Sequence, residues 1–327
     1  MRKESEAQRA AALYMILKEQ TDIQHPMPMP ILLNKLENYG IHAERRSIYH
    51  ILSILNSFGV DIRHTKAGYA MQHVFTTAEI TLLTAAIQNT LSVSQSKTDR
   101  LVAKLKNMLS LYQREKIFDN PHAPGKTENN ESLDNLELIL AAIPNANPIE
   151  FTYIDHIFRG VVKYRKNAGR YRGIPCAVLY NLNRCYIVFY SEHYHNFANY
   201  RLDKITRIVR KNEHISIPPF DCAAWMNHSF QMYTDQAETI TLHCQADMAP
   251  ILFDQFGDIM IMQSKDPTGF TVSIRVAITP GLIGWLVQFQ TRCTVLKPDR
   301  LIEELKSVAA QLQQQYRYGK EKYESKN

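Results

Sequence analysis

Two groups of residues in this chain carry side chains suited to contact with a polyanion. The first lies in RRSIYHILSILNSFG, residues 45–59. With Arg45 at zero and an advance of about 100° per residue, Arg45, Tyr49, Ser53, Arg46 and His50 fall within about 0–140° of a helical wheel. Ser47 flanks them. Ile48, Ile51, Leu52, Leu55 and Phe58 fall at about 220–340° and are expected to be buried. The polar face can therefore meet phosphates and base edges: Arg presents a bidentate fork to guanine, while Tyr, Ser and His give single hydrogen bonds or stacking. Directly after it, VDIRHTKAGYAM alternates as a hairpin around Lys66-Ala67-Gly68, which places Arg63, His64 and Lys66 to touch a nucleic-acid backbone.

The second group lies in RCYIVFY (184–190) and NYRLDKI (199–205) and in the tyrosines and arginines around them. In an extended segment Arg201 and Asp203 share a face, so Asp203 can orient the guanidinium and leave its other donors for an anion. The alternative is an internal bridge that pins one strand, with the tyrosines as core and rim. Tyr171, Tyr186 and Tyr200 can stack on bases, and Arg172, Arg184 and Arg201 can meet phosphates, the combination that holds single-stranded nucleic acid. Other chemistry finds little support. His193 and His195 lack a third ligand at diagnostic spacing, so no metal is expected, and no cofactor either. A nucleophilic Cys185 would need an activated thiolate in a cleft, whereas alternation turns it toward the core. GxSxG, P-loop and dinucleotide motifs are absent, and no catalytic residue is expected.

The elements that position these groups follow from periodicity. Residues 8–20 and ILLNKLENYG read as helices separated by the proline-rich TDIQHPMPMP. With the basic third helix and the hairpin they form the order of a winged helix-turn-helix over 1–75. Residues 76–147 read as a helical linker and dimerisation region, interrupted by the polar DNPHAPGKTENNES (119–132), expected to be a mobile loop. From 148 to 220, short runs rich in β-branched and aromatic residues predict a small barrel or rolled sheet. Residues 221–327 read as a small α+β domain, with Trp285 in its core and a last helix carrying Leu301, Leu305, Val308 and Leu312.

Bulk properties agree with this multidomain α+β reading. A chain of 327 residues with 45% hydrophobic content is long enough for two or three domains. Its first twenty residues place apolar side chains at helical spacing, unlike a signal peptide, and no apolar run is long enough to span a bilayer. Five scattered cysteines without a CxxC pair suit reduced thiols. A cytoplasmic protein with no membrane partner is expected. The net charge of +6 permits nucleic-acid binding without requiring it.

The order of motifs resembles the WYL-domain transcriptional regulators. Pro175 and Leu179 match positions of that module, Cys185-Tyr186-Ile187 stands at the namesake tripeptide, and Arg201-Leu202-Asp203-Lys204-Ile205 matches its second signature. RRSIYHILSILNSFGVDI and GYAM fit the N-terminal part, and GLIGWLVQFQTRCTVLKPDRLIEELKSVAAQLQQQY resembles the C-terminal extension that accompanies such modules. Two positions depart from the pattern: Cys185 replaces the tryptophan, and Gln290 stands where the extension usually has glycine. The resemblance implies an Sm-like, SH3-type barrel for the middle module and, for the family, sensing of nucleic-acid fragments or nucleotides. The expectation is a ligand-responsive, sequence-specific regulator that binds a double-stranded DNA operator as a homodimer and responds to a single-stranded nucleic acid or nucleotide effector. A non-regulatory nucleic-acid-binding accessory protein is the alternative.

Overall fold

The computed structural model describes residues 5–118, 123–158, 161–228 and 237–324. The chain divides into two compact units, Met1–Leu133 and Asp134–Asn327.

The first unit opens with α1 (Glu6–Gln20), α2 (Met29–Asn38) and α3 (Arg45–Ser57), followed by the antiparallel hairpin of β1 (Ile62–Thr65) and β2 (Gly68–Met71). A capping box between Ser5 and Gln8 starts α1, and the fixed φ of Pro28 and Pro30 suits the entry to α2. Leu13, Ile16, Leu17, Leu32, Leu36, Ile48, Ile51 and Leu52 form one core from the apolar stripes of all three helices. Phe58, expected in that stripe, is instead 83% exposed, because it caps the C-terminus of α3 beyond its last turn. The hairpin is held by Met27, whose backbone exchanges hydrogen bonds of 2.8 and 2.9 Å with Tyr69. Gly68 makes this approach possible: at φ +139° a side chain would be strained, and a Cβ would collide with the Met27 carbonyl.

The same unit continues through α4 (Thr77–Asn89), α5 (Gln95–Lys106) and the short α6 (Leu111–Arg114). Buried polar contacts lock these helices to the end of α1. Ser110 donates to the Asp22 carboxylate at 2.6 Å, and the two ring nitrogens of buried His73 lie 2.9 and 3.1 Å from the carbonyl oxygens of Thr21 and Met108. The stretch expected as a linker over 76–147 is thus divided, α4 to α6 lying in the first unit. Of the loop expected over 119–132, residues 119–122 lie outside the described residues. The remainder folds onto α4 and α5: Lys126 donates to the carbonyls of Ile87 and Thr90 and to Thr98, and Ser94 donates to Asn130.

In the second unit α7 (Ser132–Ala142) buries Ile139 and Ala142 in a core with Ile149, Phe151, Ile187, Phe189, Leu202 and Ile205. That core lies within a sheet of β3 (Ile149–Phe158), β4 (Val161–Tyr164), β5 (Tyr171–Asn181), β6 (Arg184–Ser191), β7 (Asn196–Arg201) and β8 (Ile205–Arg210). Its order is β4-β3-β5-β6-β7, and β8 returns to pair with β3, so the sheet curls back on its first strand. Pro175 is accommodated inside β5 by a register shift at 175–177, which removes the need for its missing N–H.

After α8 (Cys222–His228) come β9 (Ala237–Cys244), α9 (Ala249–Phe256), β10 (Met260–Asp266), β11 (Gly269–Ala277), α10 (Pro280–Val287), β12 (Cys293–Lys297) and α11 (Asp299–Glu324). Their antiparallel sheet has the order β10-β11-β9-β12, the split β-α-β arrangement of ferredoxin-like folds. Trp285 lies in its core against Phe256 and Phe289. Gln290, where the family resemblance leads one to expect glycine, itself adopts φ +56°, so the turn after α10 is made without glycine.

Asp22 provides a pH test of the first unit. Burial pushes its carboxyl up, but hydrogen bonds from Ser110, His25 and the Gln24 backbone outweigh that and hold it below its ordinary value. A depressed folded-state pKa stabilises the fold above the unfolded carboxylate value of about 3.9 and ceases to do so as pH falls through the lower folded value. Urea unfolding of the wild type should weaken across that window, and Asp22→Asn should flatten the dependence; an unchanged slope would remove Asp22 from the acid response.

Candidate functional site

The start of α3 projects two arginines. Arg45 and Arg46 are exposed, have no ion-pair partner among the described residues, and occupy a first turn without an acidic side chain. Cations there oppose the helix macrodipole, which favours an anion at this end. Ser53 is exposed on the same helix, and Lys66 is exposed at the hairpin turn. Tyr49 stands half-exposed with its ring 6.4 Å from Tyr69 and shares a hydrogen bond with the Tyr69 hydroxyl; His64 stacks on the Tyr69 ring at 4.5 Å. The Tyr69 phenol is pushed up by burial and then by Tyr49.

The other expected contacts of this region are already engaged. Arg63 grips Asp61 through two nitrogens at 2.6 and 2.8 Å, so its charge is locally neutralised. His50 leans 3.5 Å from Glu6, and half-buried Ser47 accepts from Arg9 at 3.3 Å. The open face thus centres on Arg45, Arg46, Tyr49, Ser53 and Lys66.

In the second unit the Arg201–Asp203 pair is bidentate: Nε donates to Oδ1 at 3.1 Å and Nη2 to Oδ2 at 2.5 Å. Asp203 is only 5% exposed, and Arg184 donates to the same Oδ2 at 3.4 Å. One buried carboxylate therefore braces the ends of two strands while both guanidiniums remain partly exposed. The Arg201 guanidinium is held above its ordinary value: burial opposes its charge, but the Asp203 bond outweighs that. Bridge and pocket are not exclusive readings, because Nη1 of Arg201 lies outside the bidentate pair.

The remaining expected ligand residues divide between the two faces of the sheet. Tyr186 stands opposite Arg201 in the β6–β7 register, beside a cluster containing Leu179, Val188, Phe197, Phe220 and Trp225. Tyr171 and Tyr200 point the other way. Tyr171 stacks on Phe151 at 5.5 Å, and Tyr200 meets Phe151, Tyr153, Tyr171 and Phe189 edge-on at 5.3–5.7 Å. Their ring surfaces are largely used by packing, and what remains lines a depression of about 350 Å³. Arg172 at its rim is surrounded by carboxylates, 2.7 Å from Glu213 and 3.7 Å from both Glu150 and Glu192, which ill suits it to a phosphate.

Sequence reasoning missed three residues around Arg201. The Tyr153 hydroxyl accepts from the Arg201 backbone N–H at 3.0 Å, and burial pushes its pKa up to about 12. Arg165 lies over the Tyr153 ring, 5.5 Å from its centre. Lys204 donates to the Asp155 carbonyl at 2.6 Å, and its ammonium is pushed down by burial and by Arg201 and Arg165. Three cations thus share one region. Lys204 stands within NYRLDKI, whereas nothing periodic marks Arg165, which lies in a 3₁₀ turn over Arg165–Ala168. The Cys185 thiol is pushed up to about 11 by burial and by Asp203. Among the described residues no group of three His, Cys, Asp or Glu side chains could hold a metal, and no helix is long and apolar enough to cross a membrane.

Removing one member of the brace tests its structural weight. Asp203→Ala leaves two guanidiniums facing each other and should lower unfolding stability by about 3 kcal/mol in urea titration. Glu213→Ala, at the exposed Arg172 network, should cost less than about 1 kcal/mol. Equal losses would mean that burial does not set the value of these ion pairs.

Comparison with known proteins assigns one segment. No curated protein matches the chain. Among solved structures, proteasome accessory factor B/C (PafBC) of Arthrobacter aurescens is 16% identical, with 93% of this chain and 48% of that chain covered and a TM-score of 0.27. The chain spans about half the length of that protein. A CRISPR Cas-related protein is 12% identical, with 88% of this chain and 78% of that chain covered and a TM-score of 0.39. Residues 236–313, the stretch holding the β10-β11-β9-β12 sheet with its helices, match the family model of the WCX domain.

Proposed function

We propose that the chain is a DNA-binding transcriptional regulator whose first unit reads an operator through a winged helix-turn-helix. The observation that carries this reading is the pair Arg45 and Arg46, exposed and without ion-pair partners among the described residues at the N-terminal end of α3, with Tyr49 and Ser53 along the same helix. Guanidiniums there can fork onto guanine edges or phosphates, and the hairpin turn at Lys66 adds a backbone contact. The WCX match supports the reading, since it falls on the tail that resembles the extension accompanying WYL modules. Operators read by helix-turn-helix proteins commonly contain two half-sites, so the regulator acts as a homodimer in this proposal.

The sheet from β3 to β8 is, in the same proposal, an Sm-like barrel that senses a nucleic-acid-like anion. Arg165, Arg184, Arg201 and Lys204, gathered around Asp155 and Asp203, supply more positive charge than those two carboxylates balance, and a phosphodiester would relieve the repulsion that Lys204 feels. A bound anion shifts DNA affinity only if it prefers one arrangement of the protein over another. The proposal contains no catalytic step, in keeping with a Cys185 thiol that burial holds neutral near pH 7.

Fluorescence anisotropy with the DNA just upstream of the chain's own gene, against a scrambled duplex at two salt concentrations, tests the first part. Native DNA should be preferred by orders of magnitude, and Arg46→Ala should cost about 1–3 kcal/mol of that binding. Arg63→Ala, whose guanidinium is already paired, should cost less. Equal binding to both duplexes, erased by salt, would overturn the regulator in favour of a non-regulatory nucleic-acid binder.

The sensor is tested by adding short single-stranded oligonucleotides. They should alter operator affinity in the wild type, and Arg165→Ala should weaken that response while leaving operator binding in their absence unchanged. Identical responses in both proteins would place the effector elsewhere.

A further inference from the structure

Cys244 and Cys293 face each other across the β9–β12 pair of the ferredoxin-like sheet. The Gln245 N–H donates to the Arg292 carbonyl at 2.9 Å, which makes 245/292 the hydrogen-bonded pair and 244/293 its non-hydrogen-bonded neighbour. In antiparallel sheets that second position brings opposed side chains closest. Accordingly the two sulfurs lie 3.1 Å apart, in direct contact, while a covalent bond needs about 2.05 Å. Side-chain rotation can close much of that difference, because the backbone already opposes the two residues. Cys244 is fully buried in the core, whereas Cys293 stands on an edge strand and retains a small exposed surface.

The other three cysteines lack this arrangement. Cys176 and Cys185 are pushed up to about 11, chiefly by burial, and Cys222 is exposed on α8. Within the facing pair, the contact between the two sulfurs lowers the Cys293 thiol against the effect of burial. Cys293, on the edge strand and with residual exposure, is the sulfur that a small oxidant reaches first and so the nucleophile of the two, with fully buried Cys244 as the resolving thiol.

We propose that Cys244 and Cys293 form a reversible disulfide site that responds to a peroxide, a small oxidant able to reach a nearly buried sulfur. The Cys293 thiolate attacks one peroxide oxygen, the O–O bond breaks, and hydroxide leaves and takes up a proton as water, leaving Cys293 as a sulfenic acid. The Cys244 sulfur then attacks the Cys293 sulfur, the S–O bond breaks, and the hydroxyl leaves with the Cys244 proton as a second water. Overall, two thiols and one hydrogen peroxide give one disulfide and two waters, and an external dithiol restores the thiols by exchange. The bond fastens the outer strand β12 to β9 in its existing register and so anchors the chain where it enters α11. This site is independent of the proposed DNA and ligand contacts.

The test uses the full chain carrying Cys222→Ser, which removes the exposed competing thiol from the five cysteines. After limited hydrogen peroxide treatment, denaturation and alkylation, a non-reducing peptide map should show Cys244 and Cys293 in one cross-linked species lighter by two hydrogens. Free thiols should fall by two per chain, Cys176 and Cys185 should be alkylated, and dithiothreitol should reverse the change. Recovery of Cys244 and Cys293 as alkylated thiols, or of Cys293 only as sulfinic or sulfonic acid, would overturn the proposal. Adding Cys293→Ser should abolish the cross-link, and the map of the parent protein decides the matter even if that variant does not fold.

Discussion

The buried Asp203 carboxylate is the constraint around which the middle module is arranged. A carboxylate in a protein interior must be paired and hydrogen-bonded or it loses its charge. Asp203 meets that requirement by drawing in Arg201 from the end of β7 and Arg184 from the start of β6. Those contacts fix where the chain turns from β7 into β8 and therefore where β8 can return to β3. The Arg201 backbone in turn reaches the Tyr153 hydroxyl, which ties the brace to the first strand of the same sheet. Stability and surface charge have one origin here, since the residue that closes the sheet also holds two guanidiniums at its edge.

The first unit follows a different logic. Its core is an ordinary meeting of three apolar stripes, but the position of the hairpin depends on two backbone hydrogen bonds between Met27 and Tyr69 and on the missing side chain of Gly68. Tyr69 then supports Tyr49 and His64, so two residues of the basic surface are ordered through one tyrosine. The arginines at the start of α3 have no such support and stay available.

What could be read in advance depended on the range of the interactions involved. The helical stripes and the hairpin at 60–71 rest on local periodicity and turn chemistry, and they were legible together with the exposure of Arg45 and Arg46. Phe58 misled because a helical wheel continues beyond the point at which the helix stops. Tyr171 and Tyr200 looked available for bases because alternation gives a face without naming its neighbours; Phe151 and Phe189 occupy that face. The carboxylates around Arg172 were hidden for a similar reason, since Glu150, Glu192 and Glu213 approach it from distant parts of the chain. The Arg201–Asp203 pair was visible from spacing alone, whereas Arg184, Arg165 and Tyr153 join it only through tertiary structure.

The first turn of α3 bears on how this sequence can change over time. Acidic side chains there would suit the helix macrodipole better than Arg45 and Arg46, and each exchange would stabilise the isolated fold by roughly 0.3–1 kcal/mol. Random substitution judged only by folding would therefore drift away from arginine at both positions. Homologues that keep both guanidiniums where the backbone disfavours them would be held there by something other than stability, and a homologue that loses both while retaining the α1 to α3 core would mark the point at which that constraint ceased.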